Sequence, residues 1–261
     1  MKIALMDSGL GLLPAAAAVR RLRPDADLVL SWDPDGMPWG PRTPEDITER
    51  ALAVAAAAAE HDPDVLIVAC NTASVHSLPA LRARFEPDLP VIGTVPAIKP
   101  AAAGGGHVAI WATPATTGSA YQRGLIEQFA VGVDVTEVPC PGLADAVHHA
   151  DEAAVDVAVA AAAALTPEDV TTVVLGCTNY ELVAERIRAA VQKPGRPPLI
   201  LHGTAGAVAA QALRRVGAAP APDAAAEGTL TVLLSGRQEA LPGTALTYEE
   251  GRFLQAVTPA R

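Results

Sequence analysis

The strongest constraint on this chain is a rhythm: short runs of Val, Ile and Leu alternate with longer Ala-rich stretches from one end to the other. The runs fall at residues 2–6, 27–31, 65–69, 90–95, 107–111, 133–138, 172–175, 198–201 and 229–234. Most are almost continuously apolar, as strands covered on both faces of a parallel sheet must be. The stretches between them are long enough for helices, and one carries a full start signal. Thr43 offers a capping hydroxyl, Pro44 takes the first helical position, and Glu45 and Asp46 oppose the dipole, so a helix is expected from there to about Glu60. Thr166-Pro167-Glu168-Asp169 repeats that signal ahead of a shorter turn. Such alternation implies α/β architecture.

The strand runs of the first half then recur in the second. Ile3-Ala4-Leu5-Met6 matches Val108-Ala109-Ile110-Trp111, and Asp27-Leu28-Val29-Leu30 matches Val133-Asp134-Val135-Thr136. The run ending in Cys70 matches the run ending in Cys177, and Pro90-Val91-Ile92-Gly93 matches Pro198-Leu199-Ile200-Leu201. The four offsets lie between 105 and 108 positions. Matches in order at a nearly constant offset suggest a chain of two like halves, although regular βα spacing without duplication would give the same pattern. The expected organisation is two similar α/β halves, each a mostly parallel sheet flanked by helices, with the active site in the cleft between them. The first lobe is expected to take residues 1–98 plus 207–261 and the second 99–206. Gly104-Gly105-Gly106 is read as a linker between halves.

Composition narrows the function classes. Half of the 261 residues are hydrophobic but only 3 % are aromatic, so the core should be built mainly from Ala and Val. The net charge of −10, with no Lys/Arg cluster, argues against nucleic acid as a partner. No run of about 18 apolar residues lacks a charge, Pro or Gly, so no membrane span is expected. The start, Met1-Lys2-Ile3-Ala4-Leu5-Met6-Asp7, is too short and too quickly acidic for a signal peptide, and a cytoplasmic location is expected. The Ala-rich stretch 51–59 could be core or the seam of a homodimer.

The three cysteines, Cys70, Cys140 and Cys177, lack CxxC spacing and are odd in number, which suits neither a disulfide framework nor a zinc site. Two of them stand in equivalent places. Cys70-Asn71-Thr72 and Cys177-Thr178-Asn179 each follow a strand, where parallel α/β sheets bind ligands and helix N-termini offer free N–H groups. A thiol there can be held as thiolate, and the neighbouring amide or hydroxyl can bind a carboxylate or simply cap the helix. If the halves face one another, the two thiols approach one carbon from opposite sides. That arrangement suits removing a proton from one face and returning one to the other. Asp7-Ser8-Gly9 closes the first strand at the same rim, where Asp7 could accept a proton or close an Asx turn. Cys140, between Pro139 and Pro141, is expected to be structural.

These residues resemble the aspartate/glutamate racemase superfamily, and its cofactor-independent glutamate racemases in particular. The resemblance rests on Met6-Asp7-Ser8-Gly9, Met37-Pro38-Trp39-Gly40, Ala69-Cys70-Asn71-Thr72-Ala73-Ser74, Pro90-Val91-Ile92-Gly93, Ser119-Ala120-Tyr121 and Leu175-Gly176-Cys177-Thr178. It runs from the first strand to about Gly203. It implies that Cys70 and Cys177 are the catalytic acid/bases, with Asp7 beside them. It further implies that Asp7, Ser8, Trp39, Gly40, Asn71, Thr72, Thr178 and Asn179 hold the amino acid, with Thr113, Thr116 and Thr117 lining the other half of the cleft. Neither metal nor pyridoxal phosphate nor any other cofactor is implied, and the D-glutamate formed would supply peptidoglycan.

Three departures stand out. The family's Thr-His-Tyr after the second cysteine is Thr178-Asn179-Tyr180, and Asn cannot exchange a proton. The family's glutamate after its Cys-Pro pair falls on His148, read either as an auxiliary acid/base or as one of two surface histidines. Trp39 stands where the family has Tyr, which removes a hydroxyl and is expected to enlarge the pocket wall. Competing readings are a relative acting on aspartate, a hydantoin or a malonate-like acid, and a binding protein that has lost turnover.

Overall fold

In a computed structural model of the chain, whose described residues are 1–257, all nine apolar runs are strands. They are β1 (Lys2–Asp7), β2 (Asp27–Trp32), β3 (Val65–Val68), β4 (Val91–Gly93), β5 (His107–Ala112), β6 (Val135–Pro139), β7 (Val170–Leu175), β8 (Ile200–His202) and β9 (Leu230–Leu234). A tenth, β10 (Arg237–Glu239), was not anticipated. It is a fully exposed polar strand closing a hairpin with β9, so it carries no apolar signal. The start signal at Thr43 works as read: its hydroxyl accepts the Asp46 N–H and the helix runs Pro44–Ala59. Thr166–Asp169 makes only a turn into β7.

The chain divides into two compact units. One comprises Met1–Val95 and, within the described residues, 205–257; the other is Pro96–Thr204. Residues 258–261, expected in the first lobe, lie outside the described residues. The first unit holds a six-stranded sheet in the order β10-β9-β2-β1-β3-β4, parallel except for the terminal hairpin. The second holds a four-stranded, wholly parallel sheet in the order β6-β5-β7-β8. The block β2-β1-β3-β4 and the block β6-β5-β7-β8 thus have the same order, and their members are the four pairs matched in sequence. Regular βα spacing alone would not require that agreement.

The glycine run expected to link the halves lies inside the second unit. Gly104 caps the helix Ile98–Ala103, and Gly105 and Gly106, at φ +70° and +78°, turn the chain into β5. A side chain at Gly106 would also press on Thr171 Oγ1, 2.5 Å from where its Cβ would sit. Small residues fill the first core as composition implied: Ala51, Ala55 and Ala58 of the helix Pro44–Ala59 pack with Met6, Leu66 and Val68. That helix face is therefore core. Among the described residues, no helix is long and apolar enough to cross a membrane.

Candidate active site

In the first unit, the ends of β1 and β3 bring together Asp7, Ser8 and Cys70. These strands are neighbours, and the Ala69 N–H donates to the Met6 carbonyl at 2.8 Å, locking their carboxyl ends side by side. The Ser8 N–H and hydroxyl both donate to Asp7 Oδ1, at 2.5 and 3.1 Å, and Ser8 Oγ lies 3.9 Å from Cys70 Sγ. Burial pushes the Asp7 carboxyl up to about 7, against hydrogen bonds from Cys70 and Ser8 that pull it down. A carboxyl so poised exchanges a proton readily near neutral pH. Cys70 itself caps the helix Asn71–His76 with extended backbone, φ −131° and ψ 122°. Asn71 is buried in the first turn of that helix and Thr72 is half-exposed.

The second unit repeats this corner with different neighbours. Here the Gly176 N–H donates to the Trp111 carbonyl at 2.7 Å, the counterpart of the Ala69–Met6 bond. Cys177 follows β7 with φ −132° and ψ 135°, nearly the backbone of Cys70, and opens the 3₁₀ turn Thr178–Val183. With Trp111 standing for Met6, Ala112 stands for Asp7, so this corner has a methyl where the first has a carboxyl. Thr113 then stands for Ser8. The Thr113 carbonyl accepts the Thr116 and Thr117 N–H groups at 2.9 Å, and Thr113 and Thr116 hydroxyls are 3.2 Å apart. These three threonines therefore form one tight turn. Glu137 fixes its far end by accepting the Gly118 N–H and the Gln122 amide.

Asn179 is buried and its amide donates to the Ala144 carbonyl at 3.1 Å, tying the turn to the helix Leu143–His148. His148 ends that helix half-buried, not as a surface histidine. Its Nδ1 is enclosed without a hydrogen-bond partner among the described residues. Burial, and secondarily the neighbouring His149, lower its pKa and keep the ring neutral. Cys140 is structural, as expected: its thiol is buried, donates to the Val138 carbonyl at 3.5 Å, and is pushed by burial up to about 12. Among the described residues, no group of His, Cys, Asp and Glu could hold a metal ion.

Trp39 differs from its expected place. Its residue is 1 % exposed and belongs to the core cluster with Met6, Val68 and Cys70, so the ring fills the core and widens no open wall. Its indole N–H donates to Asp33 at 3.1 Å. Asp33 was missed in the sequence because nothing nearby marks it; its importance is visible only once distant donors converge on it. Gly40 is exposed, and a Cβ there would meet nothing within 4 Å, so packing gives no reason for a glycine at this position.

Comparisons with known proteins bear on the family. The Asp/Glu/Hydantoin racemase family model matches residues 14–211. A glutamate racemase of Roseiflexus sp. (strain RS-1) is 37 % identical over 192 residues, 72 % of this chain and 70 % of the relative. One of Pseudomonas putida (strain W619) is 34 % identical over 235 residues, 85 % of this chain and 86 % of the relative. A crystal structure of Escherichia coli glutamate racemase, in complex with L-glutamate and an activator, UDP-MurNAc-ala, superposes with a TM-score of 0.77 at 30 % identity. It covers 98 % of this chain and 95 % of that one. Paired strand-end cysteines, a shared fold and a match over most of its length have one common explanation: the chain belongs to the Asp/Glu/Hydantoin racemase family and is an amino-acid racemase.

Proposed function

We propose that this chain interconverts L- and D-glutamate by a two-base proton transfer in which Cys70 and Cys177 are the acid/base pair. The observation that carries the reading is the repeated corner: each unit ends a central strand in a cysteine with the same backbone conformation. Glutamate as substrate is supported by the relatives, which are glutamate racemases. One thiolate removes the Cα proton, and the electron pair left behind spreads into the α-carboxyl group. The opposite thiol gives its proton to the other face of Cα, so the configuration inverts and the two sulfurs exchange charge states. Asp7 takes or returns the Cys70 proton between turnovers. In this reading Ser8, Gly40, Asn71, Thr72, Thr113, Thr116, Thr117 and Thr178 hold the carboxylates and ammonium of the amino acid. The D-glutamate made is destined for peptidoglycan.

Chiral analysis of purified protein incubated with L-glutamate or L-aspartate, with no cofactor added, tests the reading. L-Glutamate should approach a racemic mixture. Inversion of aspartate with glutamate left untouched would overturn it.

A second prediction follows from the unlike neighbours of the two thiols. Cys70 has the Asp7 carboxyl in contact, whereas the matching position beside Cys177 is Ala112, and Asn179 has no proton to exchange. Deuterium entry at Cα in heavy water should therefore proceed at different maximal rates from L- and D-glutamate. Equal exchange and equal turnover from both enantiomers would sink the asymmetry.

A further inference from the structure

Between β2 and the helix Pro44–Ala59 the chain makes a loop that ends in Trp39 and Gly40, and one buried carboxylate collects its contacts. Asp33, 5 % exposed, accepts from the Gly36 N–H at 3.1 Å, Trp39 Nε1 at 3.1 Å, Arg50 Nη1 at 3.0 Å and Ser235 Oγ at 2.9 Å. Those donors use the acceptor capacity of both oxygens, so a buried charge that would otherwise be costly is fully satisfied. Close approach is built in at Gly36, where a Cβ would run into the Asp33 carboxylate and the Arg50 guanidinium. The far side of the loop is held too: Arg42 Nε donates to the Gly36 carbonyl at 2.8 Å, and Arg42 and Arg50 share Asp46.

The Ser235 contact comes from a distant part of the chain. β9 lies parallel to β2, the Ser235 N–H donates to the Trp32 carbonyl at 2.8 Å, and the β9–β10 turn thus sits beside the start of the loop. Ser235 Oγ also accepts the Asp35 N–H at 3.2 Å, and Arg237 pairs with Asp35 at 2.9 Å. Ser235 and Arg237 lie beyond the part of the chain matched by the family model, which ends at residue 211.

We infer that Asp33 and Ser235 are positioning residues: through Trp39 and the loop backbone, the C-terminal hairpin sets where Gly40 meets the substrate. The inference rests on the proposed reading that Gly40 touches glutamate. Neither residue touches the reacting atoms; both act through the loop. Their loss should therefore weaken substrate binding while leaving the proton transfer itself largely intact.

Three variants separate the possibilities by KM and kcat for L-glutamate together with melting temperature. Gly40→Ala places a methyl where the chain has open space, so it should fold normally and raise KM about tenfold. Asp33→Asn removes the charge shared by Arg50 and Trp39 and should raise KM about tenfold, with kcat within about threefold. Ser235→Gly removes the hydroxymethyl group and with it both hydroxyl contacts, at a residue whose φ of +45° glycine adopts freely. It should raise KM about threefold without lowering the melting temperature, an outcome that a merely structural role would not give. If Gly40→Ala raises KM but neither other variant does, the positioning role is overturned and the reading of Gly40 stands. If Gly40→Ala leaves KM unchanged, the contact with substrate is overturned and the positioning role falls with it. A KM change confined to Asp33→Asn and accompanied by a lower melting temperature also overturns the positioning role.

Discussion

Replacing Cys70 or Cys177 by Ala is expected to cut racemisation of glutamate by about a hundredfold to ten-thousandfold, the range spanned by a single positioned proton-transfer group. Each variant keeps one thiol and loses the other, so inversion fails in both, whichever enantiomer is supplied. The residual chemistry is the informative part. A variant with its remaining thiol on the deprotonating side for one enantiomer can still remove and return a proton on that face. It would then wash deuterium into Cα of that enantiomer without inverting it. Comparing exchange with inversion in the two variants therefore tells which sulfur serves which enantiomer. Racemisation within about tenfold of the parent in either variant would rule out the two-thiol mechanism. Neither Ala should disturb folding greatly, since Cys70 and Cys177 sit at strand ends and each loses a single sulfur atom.

Asp7→Asn should do two opposite things. Its carboxyl is buried and pushed up to about 7 from the ordinary aspartate value of 3.8. Below about pH 4 both folded and unfolded chains hold the proton. Between about 4 and 7 the unfolded chain releases a proton that the folded chain keeps, so stability falls as pH rises. Above about 7 the loss is complete, at about 4 kcal/mol by the conversion of 1.36 kcal/mol per unit. Asn has the same shape and no charge to bury, so the variant escapes this loss. Urea unfolding of parent and variant should show a stability difference that moves by about 4 kcal/mol in favour of the variant between pH 4 and pH 8. Over the same range the variant should lose about a hundredfold in kcat/KM, because its amide cannot take the Cys70 proton. A difference that stays flat with pH would mean that Asp7 ionises like a surface carboxylate, and its assigned part in catalysis would fall with it. Stability surrendered at neutral pH for the sake of a poised proton is a familiar feature of active sites.

What the sequence disclosed follows from the physics of each signal. The nine apolar strands were readable because buried parallel strands leave little choice of residue, and the Pro44–Ala59 helix because Thr43, Pro44 and Asp46 each solve a local problem at its start. β10 was invisible because Arg237, Gln238 and Glu239 are solvent-exposed and its pairing is made by backbone alone. The glycine run misled because glycine serves equally at a linker and at a helix C-terminus, and here it does the latter. Among the candidate site residues, Asp7, Cys70 and Cys177 stood out through their motifs at strand ends. Asp33 did not, since its donors at Gly36, Trp39, Arg50 and Ser235 are scattered from 3 to 202 positions away. Trp39 was placed correctly in the chain but not in depth, because a motif gives position along the sequence and not burial. His148 shows the same limit: adjacent histidines at one helix end differ, one half-buried and one exposed, only once the helix has packed.

The mismatch of Asp7 with Ala112 has a thermodynamic consequence. L- and D-glutamate are mirror images, so their equilibrium constant in water is one, whatever the enzyme. The Haldane relation then forces kcat/KM to be identical in the two directions, since both report the same transition state measured from free reactants of equal energy. A carboxyl beside one sulfur and a methyl beside the other cannot favour either product. The asymmetry can only divide that shared quotient differently, giving the enantiomer that turns over faster a KM larger in the same proportion. A lopsided pair of corners thus makes no one-way catalyst; it sets the concentration of each enantiomer at which the enzyme saturates.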